Sequence, residues 1–135
     1  MIKPALIGIV LAITIGIVLW SGMIPFEITI TIHGLLLAII GAIYIGFAFN
    51  DGRLGITVLE IAVSIVFFAL AFLGMLISPY ILAAGFLAHG FWDLAHHPKV
   101  VTTKVPRWYI PFCAVYDFIH ASFFLLLGLI SKGTI

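Results

Sequence analysis

Five long apolar runs, separated by turn-forming residues, are the feature that most constrains the fold of this chain. Each run has about the 20 residues that an α-helix needs to cross a bilayer. Charged residues make up 8% of the chain, whereas about a quarter of an ordinary soluble protein is charged. The sequence predicts an all-α integral membrane bundle, a single transmembrane domain over residues 1–135. Its five spans are expected near 4–22, 27–48, 54–77, 79–97 and 107–131.

The junction between the third and fourth runs allows an alternative with four spans. Ser78-Pro79 interrupts the apolar sequence there, and proline can kink a membrane helix without ending it. Merging the two runs into one long kinked helix would move all later loops to the opposite side of the membrane. The distribution of cationic residues separates the two arrangements.

With five spans, the basic residues lie mainly on one side of the membrane, as the positive-inside rule requires. A multi-pass protein of the cell membrane is therefore expected, with its N-terminus in the cytoplasm and its C-terminus outside. The cytoplasmic cations would be Lys3, Arg53, Lys99, Lys104 and Arg107, with Lys132 alone on the other side.

The polar pattern aromatic-Asp-x-x-His occurs twice, once at Trp92–His96 and again at Tyr116–His120. Side chains three residues apart share one face of a helix. The chain has only five acidic residues and five histidines, and an ionisable group inside a membrane is costly and usually functional. The repeated pattern predicts a polar site within the spans.

Imidazole and carboxylate groups together suit transition metals such as iron or zinc. Glu60 and Asp117 are the candidate catalytic carboxylates, because no lysine or arginine lies in the interior of a span. His33 and His120 are candidates to bind a cofactor, and Cys113 is expected to pack as a small apolar side chain. The candidate metal ligands are His89, Asp93, His96, Asp117, His120 and Glu60.

Depth in the bilayer indicates that these groups cannot all share one site. At a rise of about 1.5 Å per residue, Glu60, His89 and Asp117 fall at similar depths, with Asp93 nearby. His33 and His120 form a deeper pair, which could also hold a haem iron axially. We therefore expect His89 and Glu60 to lie between the two aspartates.

The two Asp-x-x-His segments, with Glu60, resemble the carboxylate-histidine metal sites of four-helix bundles, although aspartate is one methylene shorter than glutamate. The segment His89–His97 is similar to membrane histidine-box hydroxylases and desaturases, which it matches in the His96-His97 pair. Its His-Gly-x-Trp-Asp pattern also resembles small uncharacterised prokaryotic membrane proteins. The first two resemblances imply a histidine and carboxylate metalloprotein, and the third implies no function.

The most coherent functional prediction is a membrane metalloenzyme that acts on a lipid or other apolar substrate. A proton-linked transporter or channel subunit is the first alternative, and a structural or haem-binding subunit of a membrane complex is the second. The expected partners are the lipid bilayer and either further copies of the chain or a larger complex. A net charge of +1 without a basic run excludes nucleic acid.

Overall fold

The computed structural model of the chain describes residues 2–97 and 100–132, with side chains as far as residue 126. Lys99, on which the expected sidedness partly depends, lies outside these residues, as do both ends of the predicted 1–135 domain. The described part of the chain contains five α-helices and no strand. They are α1 (Ile2–Trp20), α2 (Phe26–Asp51), α3 (Leu54–Leu76), α4 (Pro79–His96) and α5 (Tyr109–Lys132).

The break between α3 and α4 is a true helix boundary. Helix α3 ends at Leu76, and Ser78 has an extended backbone and accepts a hydrogen bond from the Tyr80 amide at 3.3 Å. Pro79 occupies the first helical position, where its missing amide hydrogen costs nothing. The chain therefore forms two separate helices here, not one kinked helix.

Four of the helices, α1, α2, α3 and α5, are long and apolar enough to cross a membrane. Helix α4 is 18 residues long, or about 27 Å at the usual helical rise, but it is more polar than the others. His89, Asp93 and His96 account for that polarity, and all three are buried.

The bundle buries ionisable side chains within an apolar core and exposes large apolar side chains. Six histidine, aspartate and glutamate side chains are completely buried, each 0% exposed: His33, Glu60, His89, Asp93, Asp117 and His120. Large apolar residues such as Val10 on α1 and Phe68 on α3 are more than half exposed. Such a distribution suits lipid as the solvent.

Helix α4 lies at the centre, in contact with α5, α3 and α2, whereas α1 packs mainly against α5. Glycines make the close contact between α1 and α5 possible. A Cβ added at Gly8 would collide with the backbone carbonyl oxygen of Phe112, and one at Gly16 with the ring of Phe123. Small residues at such positions let membrane helices approach closely.

A polar clasp joins the α2–α3 turn to the loop before α5. Asp51 accepts hydrogen bonds from the Arg53 guanidinium at 2.6 and 2.9 Å and from the Lys104 amide at 3.0 Å. Arg53 in turn donates to the Thr102 carbonyl oxygen at 2.6 Å. The hydrogen bond to Asp51 raises the pKa of the Arg53 guanidinium. The clasp, Asp51, Arg53, Thr102 and Lys104, fixes the loop against the end of the bundle.

Candidate metal centre

The buried polar residues form three clusters inside the bundle. The central group consists of His89, Asp93, Cys113 and Asp117. The glutamate cluster consists of Glu60, Trp92, His96 and Thr103. The histidine pair consists of His33 and His120.

The central group is built from two antiparallel helices. His89 and Asp93 lie four residues apart on α4, as Cys113 and Asp117 do on α5, so each pair shares one helix face. One ligand atom from each of the four residues lies within 4.8 Å of all the others. All four side chains are buried. The group thus brings nitrogen, sulfur and oxygen donors to one point in the interior.

Hydrogen bonds fix the orientation of this group. His89 Nδ1 is 2.7 Å from Asp117 Oδ2 and 3.7 Å from Asp93 Oδ2. His89 therefore stands between the two aspartates. The Tyr44 hydroxyl, contributed by α2, donates to Asp93 Oδ1 at 2.5 Å.

Three atoms of the central group have no hydrogen-bond partner among the described residues. They are Asp93 Oδ2, Asp117 Oδ1 and His89 Nε2. The His89 ring also interacts with the backbone of Ile40. Buried polar atoms are nearly always paired. Two carboxylates with free oxygens in an apolar interior favour a bound cation or protons.

Cys113 is the member of the group that the sequence did not single out as a ligand. Its side chain is buried, as expected, but its sulfur lies 3.8 Å from Asp117 Oδ2 and 3.5 Å from the Tyr109 hydroxyl. The spacing of four residues from Cys113 to Asp117 was the available signal, since it places both on one face. A thiol beside two carboxylates and an imidazole completes a set that suits zinc.

The glutamate cluster surrounds one carboxylate with three donors. Glu60 Oε2 accepts from Trp92 Nε1 at 3.2 Å, and Oε1 accepts from the Thr103 hydroxyl. Oε1 also lies 3.0 Å from His96 Nε2. His96 Nδ1 is 2.8 Å from the Trp92 carbonyl oxygen. A carbonyl oxygen can only accept, so His96 Nδ1 is the donor in that hydrogen bond. The hydrogen bond between His96 Nε2 and Glu60 Oε1 then contains one proton.

The histidine pair is a direct contact between two imidazoles. His33 Nδ1 donates to the Thr29 carbonyl oxygen at 2.7 Å, and His33 Nε2 lies 3.2 Å from His120 Nδ1. His120 Nε2 is buried without a partner among the described residues. The ring centroids are 5.0 Å apart at an angle of 70°, so a porphyrin does not fit between the rings.

The structure thus distributes the sequence-derived candidates over three places. His89, Asp93 and Asp117 come together, with Cys113. Glu60 and His96 meet each other at the end of α4, so Glu60 does not lie between the aspartates. The contact between His33 and His120 lies beyond the central group along α5. Tyr44 links the first two clusters, because its ring centroid is 5.7 Å from that of His89 and 4.7 Å from that of His96.

One comparison with known proteins gives a match. The model of DUF6010, a family of unknown function, matches residues 2–130. No curated protein and no solved structure matches the chain.

Proposed function

The chain belongs to the DUF6010 family, and because the function of that family is unknown we propose one from the central group. We propose a five-span membrane protein, with its N-terminus in the cytoplasm, that binds one transition metal ion at His89, Asp93, Cys113 and Asp117. Zinc or iron suits the donors, and the thiol favours zinc.

The observation that carries this proposal is the convergence of four donors, in which Asp93 and Asp117 each keep one carboxylate oxygen without a hydrogen bond among the described residues. Among the described residues, His89 is the only basic side chain within ion-pair distance of the two aspartates. Negative charge on buried carboxylates is unfavourable without a counter-charge, and a divalent ion would supply one. The helices already hold the donors close together, so the side chains would lose little conformational entropy when a metal ion binds.

The surrounding residues position the donors. Tyr44 holds one oxygen of Asp93 and leaves the other free, and His89 does the same for Asp117. Partners of this kind commonly fix the orientation of metal-binding side chains. When bound, a zinc ion supplies a Lewis acid and can activate water. The narrower proposal is a metalloenzyme that acts on a lipid. In that case Asp117 is the carboxylate that would hold a proton at the site, because Glu60 already accepts hydrogen bonds from three donors.

Metal analysis of the purified chain tests the proposal. We expect about one zinc or iron ion per chain in the wild type, or after reconstitution with the ion, because four donors are available. His89→Ala should lose it, whereas His97→Ala, which removes an exposed histidine outside the central group, should keep it. A wild-type protein that neither contains nor takes up metal would refute the proposal.

A second candidate function, proton-linked transport, is favoured by the alignment of the three clusters. Carboxylates and imidazoles follow one another from Glu60 to His33, with Tyr44 in contact with both His96 and His89. Chains of such groups are typical of proton pathways. Glu60→Gln should then abolish a pH-dependent flux in liposomes, and Glu27→Gln, at the exposed start of α2, should not.

A further inference from the structure

A cleft of about 790 Å³ opens where α4 ends and the loop before α5 passes over the bundle. It lies outside the central group, next to the glutamate cluster, with His96 in its wall. Its volume is within the range of small-molecule binding sites. None of the roles proposed above uses it.

The cleft carries positive charge. Lys104 and Arg107 both line it, and both are exposed. No acidic residue is among the described residues that line the cleft, and neither cation forms an ion pair there. Lys104 also interacts electrostatically with Asp51, but Asp51 is already ion-paired with Arg53. Two such cations at one cleft favour an anion, and lysine and arginine are the usual phosphate-binding side chains.

The cleft also has apolar walls, which indicate the second part of its ligand. Val101, Val105 and Ile110 line it beside the cationic residues. A bare phosphate would leave most of 790 Å³ empty and would not cover these side chains. A ligand with both a phosphate and a hydrocarbon portion would use the cations and the apolar walls together.

The position of the cleft suits a lipid. Trp108, directly after Arg107, is 57% exposed, and tryptophan is enriched at the level of the lipid headgroups. The clasp holds the loop in place through the Thr102 carbonyl and the Lys104 amide. Lys104 is thus presented from a fixed backbone, which lowers the entropic cost of binding.

We propose that this cleft binds the phosphate headgroup of an anionic membrane lipid, with Lys104 and Arg107 contacting the phosphate. The apolar walls take the first part of the acyl region. This role is independent of metal in the central group, so either proposal can fail alone.

Native mass spectrometry of the full chain with added lipid tests this proposal. We expect phosphatidic acid to bind at least tenfold more tightly than phosphatidylcholine, whose headgroup has no net charge. Lys104→Gln with Arg107→Gln should remove that preference. Lys3→Gln, an exposed cation outside the described cleft lining, is the matched control and should keep it.

Competition with inorganic phosphate shows whether the cleft prefers a lipid or a free anion. As a competitor, it should displace the lipid only at concentrations far above those of phosphatidic acid itself. Equal affinity for inorganic phosphate would overturn the lipid assignment. An unchanged lipid preference in the double variant, checked for folding by its thermal unfolding midpoint, would overturn the site.

Discussion

At the scale of the residue, the central group depends on side chains that hold the donors without themselves being donors. Tyr44 is the clearest case, because it contacts Asp93 through its hydroxyl and both His89 and His96 through its ring. Its removal would leave Asp93 free to rotate. The effect should appear in metal affinity more than in folding.

Tyr44→Phe should weaken metal binding by about 10- to 100-fold, the usual effect of losing a partner that orients a ligand. The ring is retained, so packing should be unchanged. The measurement is a zinc titration against a competing chelator. Tyr116→Phe is the control, since among the described residues the Tyr116 hydroxyl has no hydrogen bond, and it should bind zinc as the wild type does. Equal affinities for the two variants would contradict the role of Tyr44.

Cys113→Ser tests whether the thiol is a ligand. Replacing zinc by cobalt gives a sulfur-to-metal charge-transfer band only when a thiolate binds the ion. We expect this band in the wild type and its loss in Cys113→Ser, because a hydroxyl is a poorer ligand than a thiolate for a borderline-soft metal. A cobalt-loaded wild type without this band would show that Cys113 is not a ligand.

At the scale of the element, close contact between helices is the main determinant of the bundle. Gly8 lies against a backbone carbonyl of α5, which cannot move without displacing that helix. Gly46 on α2 has nothing within 4 Å of the position of an added Cβ. The two glycines form a matched pair for a packing test.

Gly8→Ala should destabilise the protein by about 1–3 kcal/mol, the usual cost of inserting atoms into a well-packed contact. Gly46→Ala should be neutral or stabilising by up to about 1 kcal/mol, because alanine is the better helix former. Reversible unfolding in mixed detergent micelles measures both. A destabilisation of equal size in the two variants would show that α1 is free to move away from α5.

The helices follow from the sequence because apolar length and turn residues are local signals. Ser78-Pro79 marks the start of α4, and Asn50-Asp51-Gly52 marks the end of α2, where Gly52 has a φ of 80°. The partners of each polar residue were harder to predict. Counting helical rise placed Glu60 level with His89, but Glu60 contacts His96 near the end of α4. Thr103 contacts it from a loop that has no periodicity.

At the scale of the whole molecule, the number of membrane crossings in the proposed topology depends on one helix. Helix α4 determines this number, because its polar residues make it less apolar than the other four helices. Its contacts with α2, α3 and α5 would let it cross the bilayer without exposing those residues to lipid.

Labelling of single cysteines should show that the two ends of α4 face opposite sides of the membrane. On a Cys113→Ala background, Ile77→Cys and Val100→Cys introduce thiols at positions that are 70% and 76% exposed. We expect a membrane-impermeant maleimide to label Val100→Cys from the cytoplasmic side and Ile77→Cys from the outside, as five spans require. Labelling of both from one side would refute the five-span topology.

The close packing of α1 on α5 also affects the order in which the molecule can be assembled. Helix α1 leaves the ribosome before α2, α3 and α4 do, yet its main partner is made after all three. In the proposed membrane topology, α1 would wait in the bilayer during synthesis, with Gly8 and Gly16 not yet packed against α5. The packed bundle therefore closes only after α5 has been inserted, and variants that delay that insertion should be exposed to membrane quality control for longer.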